Sequence, residues 1–88
     1  MIDVQLRLFG AFRSYSSELS IPFTLPQACR VNEFKKLIAE RLQDLNPELG
    51  KSDLVFDSAI ANEREVLTEE DTIAESCSLA ILPPVCGG

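Results

Sequence analysis

The sequence predicts an α+β fold, in which a mixed sheet of four to five strands carries one main helix on one face. Three observations lead to this prediction. Segments near both ends alternate between apolar and polar residues, as half-buried strands do. One central segment repeats its apolar residues at helical spacing. The chain has 88 residues, which is enough for a single small domain with a single core.

Two alternating segments open the chain. In residues 2–9 one face carries Ile2, Val4, Leu6 and Leu8, and the other carries Asp3, Gln5, Arg7 and Phe9. Gly10 ends this strand, and residues 11–17 are predicted to form a loop in which Phe12 and Tyr15 pack beside the core. Alternation then resumes with Leu19, Ile21, Phe23 and Leu25 facing inward. Because Pro22 has no backbone donor, this second strand should lie at a sheet edge.

The middle of the chain predicts an amphipathic helix of about three turns. Asn32 is the predicted N-cap and Glu33 lies in the first turn, where a carboxylate suits the helix dipole. The apolar residues at helical spacing are Phe34, Leu37, Ile38, Leu42 and Leu45. Lys36 and Glu40 should face solvent, and Asn46-Pro47 should end the helix.

The second half predicts shorter elements. Residues 54–61 form a strand whose phase the pattern leaves open, followed by a turn at 62–64 and a short return strand at 65–67. Residues 68–71 resemble a capping pattern for a brief helical turn, with Ile73 tucked inward. In the last strand, 78–82, Leu79 and Ile81 face one side and Ala80 and Leu82 the other. One long helix between two hairpin-like halves is the β-grasp arrangement.

The C-terminus separates a domain at 1–82 from an extended tail at 83–88. Pro83 and Pro84 lack donors and favour polyproline II, so the tail could reach roughly 19 Å beyond the domain. The two final residues have no side chains, so a narrow channel could admit them together with the terminal carboxylate. Since Gly and Pro make up only about 7% and 5% of ordinary sequence, a functionless frayed end is the weaker interpretation. The tail residues are Pro83, Pro84, Val85, Cys86, Gly87 and Gly88.

Charge and composition exclude several functional classes. The formal net charge is −6, which argues against nucleic acid as a partner because phosphate binding needs a basic surface. The sequence has no histidine, which removes Ser-His and Cys-His catalysis and most zinc sites. Three cysteines without a C-x-x-C pair suit a reducing compartment. Without an apolar leader or a membrane-spanning run, we expect a cytoplasmic protein that binds no cofactor, metal or membrane.

Acidic residues concentrate in the second half of the chain. Seven lie between 57 and 75, against the single base Arg64: Asp57, Glu63, Glu65, Glu69, Glu70, Asp71 and Glu75. They form either a solvated face or a surface that steers the protein toward a basic partner. Cys29 and Cys77 are expected to be small buried hydrophobic residues. Cys86 is either an incidental exposed cysteine or a thiol that reacts beside an activated carbonyl.

Residues 79–88 (LAILPPVCGG) resemble the C-terminal end of the MoaD/ThiS group of ubiquitin-like sulfur carriers, and most closely the small subunit of molybdopterin synthase. Residues 6–13 (LRLFGAFR) are similar to the first strand and loop of that subunit, and Ala61-Asn62 to its hairpin. The resemblance spans nearly the whole chain, although only the last ten residues are specific. The sequence departs from the family at Ser76-Cys77, where Gly-Asp is common, and at Cys86, where Ser or Thr is common.

The resemblance implies a defined chemistry. An E1-like enzyme would adenylate the Gly88 carboxylate with ATP, and a sulfur donor would convert it to a thiocarboxylate. The tail would then enter a pocket of the large synthase subunit, in a heterotetramer, and give its sulfur to cyclic pyranopterin monophosphate to form molybdopterin. Under this interpretation Gly88 is the reactive residue, ATP is consumed by the partner, and the chain is not catalytic alone.

Three alternatives remain open. The chain could carry sulfur for thiamin, cysteine or tRNA thiolation; it could be a protein modifier joined to lysines through Gly88; or it could be a non-catalytic β-grasp interaction module. For the carrier, alternation predicts a partner-binding surface of Phe9, Ala80 and Leu82 on the sheet face away from the helix. The competing interpretation is that loop 11–17 covers this surface, with Phe12 or Tyr15 as the lid.

Overall fold

The structure, a computed structural model, describes residues 1–15, 19–47 and 54–83. These residues form seven strands and two α-helices, with a 3₁₀ helix at Gly10–Tyr15. The helices are α1 (Val31–Leu45) and α2 (Leu54–Asp57). The strands are β1 (Ile2–Leu8), β2 (Ser20–Leu25), β3 (Cys29–Arg30), β4 (Ala59–Ala61), β5 (Val66–Leu67), β6 (Thr72–Ile73) and β7 (Cys77–Leu82).

The main sheet has five strands in the order β2-β1-β7-β4-β5, which confirms the predicted mixed sheet. β1 runs antiparallel to β2 and parallel to β7, with Leu6 opposite both Ile21 and Leu79. β4 runs antiparallel to β7 and to β5. β3 and β6 form a separate two-stranded ladder. The first and last strands are therefore parallel neighbours, and β2, which contains Pro22, lies at an edge as predicted.

The core lies between the sheet and α1. The rings of Phe23 in β2 and Phe34 in α1 meet edge to face at 5.1 Å, a favoured aromatic geometry. The guanidinium carbon of Arg41 in α1 lies 4.8 Å from the centroid of the same Phe23 ring, and Arg41 donates a hydrogen bond to the Pro22 carbonyl at 3.1 Å. The buried apolar residues are Ile2, Val4, Leu6, Leu8, Phe12, Ile21, Phe23, Leu25, Val31, Phe34, Ile38, Ala39, Leu42, Val55, Ile60, Ile73, Leu79 and Ile81.

The helix start was predicted wrongly. Arg30, not Asn32, is the N-cap, and it makes no side-chain cap hydrogen bond. The reason is tertiary: the N–H groups of Val31 and Asn32 donate to the backbone carbonyls of Asp71 and Glu69, at 2.9 and 3.1 Å. Backbone carbonyls from a turn distant in sequence thus accept hydrogen bonds from the first N–H groups of the helix, and they take the place of a capping side chain.

The buried stripe of α1 is also rotated from the predicted one. Its buried residues are Val31, Phe34, Lys35, Ile38, Ala39 and Leu42, which follow helical spacing closely. Leu37 and Leu45 were expected inside but are exposed and flank this stripe. Lys36 and Glu40 face solvent as predicted.

Residues 54–58 do not form a strand, contrary to prediction. They form the short helix α2, which packs against α1, and the turn closes where Ser58 N–H donates to the Val55 carbonyl at 3.2 Å. Val55, in this helical turn, is fully buried in the core. Only Ala59–Ala61 pairs in the sheet, and Ile60 is its buried residue.

The capping pattern predicted at 68–71 is present, because Asp71 Oδ2 accepts from Thr68 N–H at 2.7 Å, and Ile73 is buried as expected. The pattern closes a single turn, in which Asp71 N–H donates to the Thr68 carbonyl at 3.2 Å, and no helix follows it among the described residues.

Two smaller predictions were wrong. Leu19 is exposed because it precedes β2, whose pairing with β1 ends at Ser20. Cys77 is exposed because it begins β7 near the end of the core.

Candidate functional site

The sheet face opposite α1 is apolar at one end and polar at the other. Strand register sets one row straight across it: Arg7 lies opposite Ala80, Ala80 opposite Ala61, and Ala61 opposite Val66. In the next row toward the C-terminal end of β7, Leu82 lies opposite Ala59. Rows at the other end are polar and contain Asp3, Gln5, Thr24 and Ser78.

Phe9 continues the outer face beyond β1. It directly follows Leu8, and its ring lies 5.3 Å below the guanidinium carbon of Arg7. Because Arg7 points outward, this contact places Phe9 on the same side as Ala80 and Leu82, in agreement with the predicted orientation. We call Phe9, Ala59, Ala61, Val66, Ala80 and Leu82 the outer apolar patch. Within it, Phe9 is 36% exposed and Val66 59% exposed.

The 3₁₀ helix after Phe9 does not use Phe12 as a lid. Phe12 is fully buried in the core, and its N–H donates to the Phe9 carbonyl at 3.2 Å. The sequence placed Phe12 beside the core, but the turn drives it inside. Phe9 is 36% exposed. The side chain of Tyr15 lies outside the described residues, so the alternative that Tyr15 covers Phe9 stays a prediction.

The chain leaves the sheet at one end of the outer apolar patch. β7 ends at Leu82, which is half-buried, and Pro83 follows it as the last described residue, also half-buried. The other predicted tail residues, Pro84, Val85, Cys86, Gly87 and Gly88, lie outside the described residues. The 82/83 domain boundary and the role of Gly88 therefore stay predictions.

Sequence reasoning missed half of the patch. The sequence pattern of residues 54–61 does not show which side of the strand Ala59 and Ala61 face, and the pattern of residues 65–67 does not show which side Val66 faces. One signal was present: Ile60 lies between two alanines, and a large apolar residue between two small ones indicates which side of a strand faces the core. Small outward side chains also leave a flat surface, on which a partner can approach the sheet closely.

The turn beside the patch is built by one side chain. Asn62 Oδ1 accepts hydrogen bonds from the N–H groups of Arg64 and Glu65, both at 2.8 Å, and Asn62 N–H donates to the Glu65 carbonyl at 3.0 Å. This Asx-type turn confirms the predicted turn at 62–64 and fixes the β4–β5 hairpin. It thereby holds Ala61 and Val66 opposite each other in the patch.

The described cysteines are poor nucleophiles. Burial raises the pKa of the Cys29 thiol, and the Glu33 carboxylate raises it further. Burial, followed by the Glu75 carboxylate, raises the pKa of Cys77 in the same way. Both thiols are thus kept protonated at neutral pH, and the described residues contain no group of three or more Cys, Asp or Glu side chains placed to hold a metal ion. None of the helices among the described residues is long and apolar enough to cross a membrane.

No family model and no curated protein matches the sequence. Solved structures do match its fold. SAMP1 from Haloferax volcanii is 15% identical with a TM-score of 0.68, over 98% of this chain and 99% of that one. A Pyrococcus furiosus protein described as "putative molybdopterin converting factor, subunit 1" is 18% identical with a TM-score of 0.68, over 97% and 100% of the two chains. The Haloferax volcanii HVO 2177 protein is 19% identical with a TM-score of 0.68, over 99% and 87%.

These likenesses establish the architecture. Each neighbour matches nearly the whole of this chain. Because the sequence identities are low, the likeness shows a common fold and nothing about function. The five-stranded mixed sheet with one main helix is accordingly a β-grasp, ubiquitin-like fold.

Proposed function

We propose that this protein is a sulfur carrier and the small subunit of a molybdopterin synthase. The observation that supports the proposal most directly is the outer apolar patch at the end of β7, just where the Pro-Pro-Val-Cys-Gly-Gly sequence begins. A carrier needs a surface for docking and a slender reactive end beside it. Pro83, the first residue of the proposed tail, directly follows Leu82 of the patch.

The chemistry belongs to the terminal carboxylate. An α-carboxyl has a pKa of about 3.3–3.7 and is ionised at neutral pH, so it acylates nothing until a leaving group is attached. Attack of the Gly88 carboxylate on the α-phosphorus of ATP would form an acyl adenylate and release pyrophosphate. A sulfur donor at the sulfide level would then displace AMP and leave a thiocarboxylate. The proposed partners are an E1-like adenylating enzyme, the sulfur donor and the large synthase subunit, in a heterotetramer.

Among the described residues, no group of three or more Cys, Asp or Glu side chains is placed to hold a metal ion, and both thiols have raised pKa values. Under this proposal the chain contributes a docking surface and a reactive C-terminus. Its partners would supply ATP binding and catalysis.

Intact mass spectrometry of the protein from its native host tests the proposal. We expect part of the population to carry one oxygen-to-sulfur exchange, localised to Gly88 by fragmentation, and to be converted back when the precursor pterin and the large subunit are added. Deletion of Gly88 and Gly87→Ala should each abolish sulfur transfer, with the fold unchanged in both. Full product formation by the deletion variant would contradict the proposal.

A second function is favoured by the likeness to small archaeal modifier proteins of Haloferax volcanii. The same adenylate could be attacked by a lysine amine instead of a sulfur donor, which would join Gly88 to another protein through an amide bond. Denaturing gels of cell lysate, probed for this chain, distinguish the two functions. A ladder of larger species that disappears on deletion of Gly88 would indicate a modifier, and its absence together with the mass shift would indicate a carrier.

A further inference from the structure

Gly10 and Pro83 meet where the first and last strands end. Gly10 begins the 3₁₀ helix after β1, and Pro83 follows β7. Gly10 has a φ of 58°, in the left-handed region that residues with side chains seldom adopt. A Cβ built on Gly10 would lie 2.7 Å from Cγ of the Pro83 ring, 3.5 Å from its Cδ and 3.9 Å from its Cβ.

Neither side of this contact can move away easily. The Pro83 ring is tied to its own backbone nitrogen, so its Cγ cannot swing aside as the end of a flexible chain can. Gly10 is held by the turn around it, since Phe12 N–H donates to the Phe9 carbonyl and the Phe12 ring is buried. The absence of a side chain at Gly10 is thus what allows Pro83 to lie against the chain after β1.

We infer that Gly10 is a positioning residue that seats Pro83 and so sets the direction in which the tail leaves the sheet. The inference rests on the proposed function, because the direction of the tail matters only if a partner has to receive the C-terminus. The contact borders the outer apolar patch through the neighbouring residues Phe9 and Leu82. A partner bound to that patch would therefore find the root of the tail at a fixed place and angle.

A small change at this root has a large effect at the end. If residues 83–88 extend as polyproline II, they reach roughly 19 Å, and a tilt of ~20° at Pro83 would then move Gly88 by roughly 7 Å. Misplacement of a reacting group by ~1 Å can cost about 100-fold in rate. Seating Pro83 would limit this misplacement before the partner binds, while docking through the patch remains a separate step.

A double-mutant cycle tests the contact without reference to function. The four proteins are wild type, Gly10→Ala, Pro83→Ala and the double variant, compared by thermal unfolding. In the Pro83→Ala background only the Cβ at 3.9 Å remains near the new methyl, whereas the left-handed strain at position 10 is unchanged. We therefore expect Gly10→Ala to lower Tm more in the wild-type background than in the Pro83→Ala background. Equal losses in the two backgrounds would overturn the inference.

A paramagnetic label tests the direction of the tail. With Cys29→Ala and Cys77→Ser in place, a nitroxide on Cys86 broadens the NMR signals of the amides it approaches. We expect a confined set of broadened amides near the patch, which shifts or spreads in Gly10→Ala. Pro83→Ala supplies a second variant that leaves the Gly10 turn unstrained, and it should shift the set as well. The same set of broadened amides in all three proteins would refute a positioning role.

Kinetics then link the direction to chemistry. The kinetics are measured at a temperature where all four proteins are folded, with thiocarboxylate formation by the activating enzyme as the reaction. For Gly10→Ala we expect a KM within about twofold of the wild-type value and a kcat that is lower by up to about tenfold. The ratio of kcat for the double variant to kcat for Pro83→Ala should be closer to one than the ratio of kcat for Gly10→Ala to kcat for wild type. Unchanged kcat for Gly10→Ala would overturn the inference. If wild type itself accepts no sulfur, the proposed function fails, and the unfolding cycle and the label still decide the role of Gly10.

Discussion

Lys35 lies on the buried side of α1, among the apolar residues that pack on the sheet. The residue is only 4% exposed, and its Nζ lies 3.2 Å from Oε1 of Glu69. The two partners are unequal, because the Glu69 side chain is 60% exposed. A buried ammonium depends on its partner more than a solvated carboxylate does. The aliphatic stem of Lys35 also contributes to the core as an apolar chain would.

This asymmetry gives the first prediction. Glu69→Ala should lower the free energy of unfolding by about 1–2 kcal/mol, between the values for exposed and buried pairs, because it leaves the Lys35 ammonium without its carboxylate. Lys35→Met should change it by about 0.5 kcal/mol or less, since the Glu69 left behind is in water. Urea unfolding measures both, and Glu70→Ala is the control for loss of an acid in the same turn. A larger loss for Lys35→Met than for Glu69→Ala would contradict the argument.

The raised thiol pKa values give the second prediction. The thiolate is the form that reacts with iodoacetamide, so the pH–rate midpoints of Cys29 and Cys77 should lie above that of the same cysteines in denaturant, near pH ~8.5. Peptide mass spectrometry separates the two sites. Because the folded state holds these protons more tightly, its stability should fall as pH rises from the unfolded pKa through the folded one. A midpoint below the denatured value at either cysteine would show that the sign is wrong.

At the scale of elements, α1 depends on a turn that is remote in sequence. The carbonyls of Glu69 and Asp71 accept the first N–H groups of the helix, and β6 then pairs with β3 immediately before it. The turn is itself closed by Asp71, whose carboxylate accepts from Thr68 N–H. The start of α1 is thus fixed by tertiary contacts of the second half of the chain.

The third prediction follows from this dependence. Asp71→Ala should destabilise the protein by about 1 kcal/mol, the typical loss for one hydrogen bond. It should also speed hydrogen exchange at the amides of Val31 and Asn32, because the carbonyls that accept from them are no longer held. Asp44→Ala, which removes an exposed acid from the far end of α1, should leave exchange at those two amides unchanged. Equal effects from both variants would mean that the turn does not fix the helix start.

The same dependence explains which elements could be predicted from the sequence. β1, β2 and β7 were predictable because their alternation records which face meets the core. The start of α1 was not, because its cap is supplied by carbonyls some forty residues away. The strand at 54–61 failed because Val55 and Ile60 are both buried but belong to different elements. Periodicity over eight residues cannot separate a helical turn followed by a three-residue strand from one longer strand.

At the scale of the whole molecule, the parallel pairing of β1 with β7 brings the two ends of the domain together. Phe9 from the first strand and Leu82 from the last lie on one face, and the hairpin of β4 and β5 extends that face with Ala59, Ala61 and Val66. The sequence predicted Phe9, Ala80 and Leu82 on this face by alternation alone. The hairpin residues could be added only once the sheet order was known, because register between distant strands is not encoded locally.

The outer apolar patch gives the last prediction. Phe9→Ala should weaken binding of the proposed partner, the large synthase subunit, by about 2 kcal/mol, or roughly 30-fold in Kd, as loss of an aromatic anchor does. Phe56→Ala is a matched control: Phe56 is 38% exposed against 36% for Phe9, but it belongs to α2, which packs against α1 and not on the outer sheet face. The two phenylalanines are buried to a similar extent, so both variants should lose similar stability and unfold at similar denaturant concentrations. Calorimetric titration with the partner should therefore show a weaker Kd for Phe9→Ala than for Phe56→Ala. Equal Kd values for the two variants, or unfolding of Phe9→Ala, would show that Phe9 does not anchor the partner.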